Sequence, residues 1–175
     1  MGNVYALADK KPVIGKNVYI APNAVIIGDV TIGDNCSIWF NAVVRGDINK
    51  VVIGANTNIQ DNTTIHSMWD TPTVIGDNVT IGHNVVVHCT KIGDNSLIGM
   101  GSVLMGYTEI GENCIVGANS FIPQEKKIPG NSLLFGNPAK LSRPLREDEI
   151  KALLESADAH SDLGKKYMEG LQEIK

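Results

Sequence analysis

Aromatic residues are scarce in this chain, at 5% of 175 residues against 43% hydrophobic residues overall, so the interior must be built from aliphatic side chains. Cysteine is scarce too: three thiols form no disulfide framework and suit a reducing compartment. There is no basic excess; the formal net charge of -4 excludes the electrostatic footprint of a nucleic-acid binder. No apolar run approaches the roughly 18 residues of a membrane span. Residues 1–11 carry Asp9, Lys10 and Lys11 where a signal peptide needs an apolar stretch. These absences lead us to expect a soluble, cytoplasmic protein with neither nucleic acid nor membrane as partner. What the chain has instead is 20 Ile, 16 Val, 18 Gly and 16 Asn, a mixture that favours short strands and tight corners over a helix bundle.

Those residues are periodic. Aliphatic anchors recur every six positions at Ile14, Ile20, Ile26, Ile32, Ile38 and Val44, resume at Ile53, Ile59 and Ile65, then at Ile75, Ile81 and Val87. From Ile92 the series runs through Ile98, Leu104, Ile110, Val116, Ile122 and Ile128 to Leu134. Neither an α-helix nor an alternating strand has a period of six. Four residues after most anchors the side chain is small, as at Ala24, Cys36, Ala42, Thr63, Ser102 and Cys114. This is the pattern of a β-helix with three short strands to a coil, the anchors pointing inward. About seven coils fit between residues 12 and 140, within a predicted β-helix domain of residues 1–140. Over residues 141–175 the spacing changes to three and four (Ile150, Leu153, Leu154, Ala157; Leu163, Tyr167, Leu171, Ile174), predicting a helical tail packed on the β-helix, with Gly164 as a break within it.

Asparagine marks the corners. It occupies positions 17, 35, 56, 78, 95, 113 and 131 on one face and 23, 41, 62, 84, 119 and 137 on the next, where its tolerance of left-handed backbone allows a tight turn. The third corner has no Asn, and all three register breaks, after Val44, Ile65 and Val87, fall there. Irregular loops along one edge of a repeat scaffold are where a site is built.

Two of the four histidines border that edge, and a third can be brought to it. His66 and His88 each follow an anchor and lie one coil apart, so they stack at about the 4.8 Å strand spacing, close enough to share one metal ion. Arg45 continues the same column. His83 lies on the preceding face, one coil after Asp61, and meets the pair only if it comes from a neighbouring chain. Setting the Arg45-His66-His88 column of one subunit against the Gln60/Asp61-His83 column of the next brings three His together, places Arg45 opposite Asp61, and closes as a three-fold ring. The bland alternative is a surface histidine ladder with ordinary salt bridges. Cys89 points to the other side of its strand and is left out; His160 is expected to be solvated.

Arg45-Gly46-Asp47, Asn58-Ile59-Gln60-Asp61-Asn62, Ile65-His66 and Ile81-Gly82-His83-Asn84-Val85-Val86-Val87-His88 resemble the gamma-class carbonic anhydrases and their bacterial relatives. The resemblance implies a left-handed parallel β-helix, a homotrimer, and zinc (with iron or cobalt in some relatives) held between adjacent subunits by His66, His83 and His88. It implies reversible hydration of carbon dioxide to bicarbonate by metal-bound hydroxide. It casts Asn58 and Gln60 as orienting residues, and Arg45, Asp47 and Asp61 as an interface ion-pair network in which Arg45 also supports catalysis. Tyr167 matches a tail tyrosine that reaches the site, and His160 stands where many relatives have another tyrosine, so its imidazole is either a proton shuttle or, as expected from its place on the tail, solvated.

The chain also departs from that family. Ile48 and Trp69 stand where two glutamates are thought to shuttle protons, so turnover is expected to be slow. Two other readings follow: an acyl-CoA acyltransferase or thioesterase, since many hexapeptide proteins are, and a catalytically weak metal-containing scaffold. Acyl transfer needs one general-base His rather than three, and no basic cluster awaits CoA phosphates.

Overall fold

Most hexads fold as a two-residue strand and a turn. In the computed structural model, which describes residues 2–174, these strands stack in parallel into a β-helix of about seven turns that matches the left-handed hexapeptide fold. Met1 and Lys175, the outer ends of the two expected segments, lie outside the described residues. On one face the anchors pair Ile20 to Ile38, Ile59, Ile81, Ile98, Val116 and Leu134, one coil apart each time. From Ile26 to Ile122 every anchor is fully buried, whereas Ile14 and Ile128 near the two ends are only partly covered. The small column is polar for a reason. The Thr57, Thr63, Ser96 and Ser102 hydroxyls each donate to a glycine carbonyl of the following coil at 2.7 to 3.1 Å, satisfying backbone acceptors inside the core.

Eleven of the thirteen predicted corner asparagines have positive φ; Asn23 and Asn137 do not, and Asn137 lies instead in the turn of the antiparallel hairpin Ser132–Gly136/Ala139–Pro144, where Gly136 takes φ +112°. At the third corner Gly28, Tyr107 and Glu125 take the positive φ. The break after Val44 is not a loop. Val43–Ile53 runs as one long strand beside Val25–Ile32, in register as far as the Gly28–Gly46 pair and shifted beyond it, so that Asp47–Lys50 bulge outward. A strand at Asn3–Tyr5, absent from the hexad count, starts the sheet by pairing with Val25–Ile27.

The chain then crosses residue 140 within the Ala139–Pro144 strand and forms one uninterrupted helix, Glu147–Gly170. Gly164 does not break it. Leu153, Ala157, Ser161 and Gly164 form its buried face, and a Cβ on Gly164 would stand 3.2 Å from the Ser37 and Tyr19 Cβ atoms, so the glycine is where helix and sheet come closest. The helix lies along the Tyr19–Ile20, Ser37–Ile38, Asn58–Ile59 and Thr80–Ile81 strands.

Candidate metal centre

Parallel register places Arg45 beside His66, and the Val44-Ile65-Val87 anchors carry His66 and His88 on successive coils. The two imidazole rings have centroids 5.5 Å apart and are tilted by 39°. His88 titrates below the ordinary histidine value, first because it is partly buried and then because His66 and Arg45 repel a second positive charge. Both effects favour the neutral imidazole that a metal needs.

The bulge after Gly46 aims Asp47 back at this pair. Asp47 Oδ1 accepts a hydrogen bond from His66 Nε2 at 2.8 Å, and its other oxygen pairs with Arg45. Desolvation alone would raise its pKa, but the His66 and Arg45 hydrogen bonds outweigh it and hold the carboxyl at about 2. Close packing explains the glycine in Arg45-Gly46-Asp47: a Cβ there would lie 2.3 Å from the Asp29 carbonyl oxygen. The bulge is tied down by Lys10 Nζ, which donates to the Asp47 carbonyl at 2.6 Å, and by Ser67, whose hydroxyl donates to the Asn49 carbonyl at 2.8 Å.

On the neighbouring face, Gln60 and Asp61 follow the Ile59 anchor as Gly82 and His83 follow Ile81. His83 Nδ1 lies 2.8 Å from Asp61 Oδ2. Asn58 is fully buried beneath the C-terminal helix, where its Nδ2 donates to Thr80 Oγ1 at 2.9 Å and its Oδ1 accepts from Gln60 Nε2 at 3.2 Å. His160, expected to be solvated, is instead half-buried and meets Gln60 Nε2 at 3.0 Å. Tyr167 packs its ring against Tyr19, Trp39 and Phe40, with centroids 5.1 to 6.2 Å away. Tyr19 was missed by sequence reasoning. Its hydroxyl is buried without a partner, and burial, followed by the Tyr167 and Asp61 charges, raises its pKa.

Within one chain, therefore, His66 and His88 are together and His83 is apart; among the described residues no three His, Cys, Asp or Glu side chains converge on one point. The donor chemistry nevertheless suits a divalent ion. A carboxylate hydrogen-bonded to one nitrogen of His66, and another 2.8 Å from one nitrogen of His83, favour a proton on that nitrogen and leave the second nitrogen of each ring with its lone pair, the arrangement in which imidazoles bind metals. A groove of about 580 Å³ beside His66 and His88 is lined mainly by Ile48, Met68, Trp69, Met105 and Tyr107; positions 48 and 69 carry no carboxylate, and the acidic side chain on its wall is Asp70.

The family model of the bacterial transferase hexapeptide (six repeats) matches residues 11–46, 72–104 and 89–124. A protein of Methanocaldococcus jannaschii named probable carbonic anhydrase is 53% identical over 144 residues, covering 82% of this chain and 91% of the relative. The mitochondrial gamma carbonic anhydrase 2 of Arabidopsis thaliana is 41% identical over 161 residues, 89% of this chain, which spans 58% of that protein's length. A crystal structure of a hexapeptide transferase family protein from Anaplasma phagocytophilum superposes with a TM-score of 0.89 at 41% identity, covering 94% of this chain and 98% of that one. Hexads, register and relatives agree: the chain belongs to the hexapeptide-repeat family and, within it, to the gamma-class carbonic anhydrases.

Proposed function

We propose that the protein is a metal-dependent carbonic anhydrase, a homotrimer that interconverts carbon dioxide and bicarbonate at ions shared between adjacent subunits. His66 and His88 of one subunit and His83 of the next would hold each ion, with zinc the natural choice for three imidazoles and iron or cobalt as substitutes. A divalent ion in this setting supplies positive charge that brings the pKa of water down to about 7. The chain's own residues do the rest. Asp47 and Asp61 orient His66 and His83, Arg45 neutralises Asp47, and the Gln60 amide, held by Asn58, offers polar atoms for positioning the reacting water. The observation that carries this reading is the stacked His66-His88 pair with a carboxylate-buttressed His83 on the adjoining face. Three free, buried cysteines support a reducing, cytoplasmic setting, and no described helix is long and apolar enough to cross a membrane.

The apolar groove at Ile48 and Trp69 favours one second reading, a scaffold that keeps its metal with little turnover. Both readings predict about one metal ion per chain in protein purified without chelator, and its absence would sink both. Stopped-flow carbon dioxide hydration, run beside a panel of acyl-CoA thioesters, separates an anhydrase from a scaffold and from an acyl-CoA enzyme. His83→Ala and His66→Ala should each lose the metal. Co-folding the two variants in equal amounts should restore about a quarter of the sites, because half-sites lost from different faces complement each other only across a heterologous interface. No recovery would refute sharing between subunits.

A further inference from the structure

The C-terminal helix buries Leu153, Ala157, Ser161 and Gly164 against the sheet, and that contact brings His160, on the margin of the same face, over Gln60, one hundred residues earlier in the chain. We infer that His160 is a positioning residue: it fixes which way the Gln60 side-chain amide points, so that Oε1 is presented to the reacting water as a hydrogen-bond acceptor.

The chain of contacts has a direction, and each link forces the next. The Ser156 backbone carbonyl can only accept, and His160 Nδ1 lies 2.8 Å from it, so Nδ1 carries the proton. In the neutral ring Nε2 is then a bare acceptor. The Gln60 atom 3.0 Å from it must therefore be the amide nitrogen, donating. The second Gln60 N–H donates to Asn58 Oδ1 at 3.2 Å, and Asn58 is in turn oriented by donating from Nδ2 to Thr80 Oγ1 at 2.9 Å. Both Gln60 donors are thus committed. If the amide were reversed, Oε1 would face the Nε2 lone pair on one side and the Asn58 oxygen on the other, two acceptor–acceptor contacts in a residue only 8% exposed. Gln60 Oε1 accepts nothing within the described residues, yet it is not a buried orphan: the Tyr19 hydroxyl is the one buried side-chain polar atom there without a partner. Oε1 is left free on the edge where Asp61, the next residue, holds His83.

A lone carbonyl oxygen there accepts a hydrogen bond from water and turns one of its lone pairs toward the site. An amide flipping between two states would offer donor and acceptor alternately and lose that control. The amide orientation stands on the hydrogen-bond chain alone; its use on a reacting water rests on the carbonic anhydrase reading.

The test uses the full-length, metal-loaded protein and three forms, wild type, His160→Leu and His160→Gln. Nitrogen-15 NMR of the wild type should find His160 neutral with its proton on Nδ1; a proton on Nε2 overturns the proposal without any variant. His160→Leu should shift one of the two Gln60 side-chain amide protons away from its hydrogen-bonded position, and unchanged resonances overturn the proposal. Metal content should be the same in all three forms. With hydration as the readout, His160→Leu should lower kcat about tenfold, at the lower end of losses from removing outer supporting groups, at unchanged KM. His160→Gln, whose side-chain oxygen can accept from Gln60, should recover most of it. Equal loss in the two variants would mean that only packing matters and would refute the positioning role. A wild type with no hydration activity would sink the carbonic anhydrase reading, while the tautomer and the Gln60 resonances would still decide the amide orientation.

Discussion

The two Asn-lined corners of the β-helix and its third corner are made of the same coils yet behave differently. At the Asn corners each turn repeats the last: Asn56, Asn78, Asn95, Asn113 and Asn131 take φ of 51 to 57° and pass hydrogen bonds from Nδ2 to Oδ1 along the stack at 2.9 to 3.2 Å. At the third corner successive coils use a glycine, a bulge, a loop at 67–72, a shortened bend at Cys89–Thr90 and then Tyr107 and Glu125. The regular edges are interchangeable from coil to coil, so they carry stability. The irregular edge is individual, and it borders His66, His88 and Asp47, so it carries the site. Repetition here is a record of packing constraint, and its interruption shows where another constraint outweighed it.

The largest effect that should separate the two regions lies beneath both. Ile98→Ala removes a fully buried anchor one coil beyond Ile81, leaves a cavity between neighbouring rungs, and should cost about 2–5 kcal/mol in denaturant unfolding. Metal content per folded chain should hold. Gly46→Ala should do the opposite in kind. Its Cβ would meet the Asp29 carbonyl, and the backbone shift needed to relieve that contact, about 1–3 kcal/mol, would carry Asp47 away from His66. Metal affinity should therefore fall more than the change in stability implies. If Ile98→Ala strips the metal and Gly46→Ala does not, the division between stabilising edges and functional edge is wrong.

The hexads could be read because they are local: an anchor and its corner are a few residues apart, and a parallel solenoid converts counting directly into neighbours. That arithmetic placed His66 beside Arg45 and one coil before His88, and Gln60 and Asp61 one coil before Gly82 and His83. It failed where geometry is not counted in sixes. The residues after Val44 look like a loop insertion by length, but Val51 and Val52 pair with Val30 and Thr31, extending the strand and turning the surplus into the bulge that aims Asp47. Gly164 looks like a helix breaker by propensity; close approach to Tyr19 and Ser37 gives it a packing role inside the helix. His160 looks solvated because residues of a helical tail are mostly exposed. Its partner is set by where that glycine lets the helix dock, a tertiary fact with no local trace.

Smaller effects sharpen the contrast at the corners themselves. Asn95→Ala puts an ordinary Cβ into left-handed backbone and cuts the ladder between Asn78 and Asn113, whereas Asn95→Gly cuts only the ladder, so alanine should be the less stable of the two by about 1 kcal/mol. Tyr107 has the same backbone, φ 58°, without a residue suited to it, and its hydroxyl donates to the Asp70 carboxylate at 3.1 Å in the loop beside His66. Strain and hydrogen bond can be separated. Tyr107→Phe loses the hydroxyl and keeps the strain, and should lower stability slightly, because the hydrogen bond is exposed to water. Tyr107→Asn loses the hydroxyl and relieves the strain, and should be more stable than Tyr107→Phe by about 1 kcal/mol in urea unfolding. Equal stabilities would mean that the third corner tolerates its residue as freely as the Asn corners do theirs. A gain on going to Asn means instead that the tyrosine persists at a local cost, for what its hydroxyl does to the loop over the histidine pair.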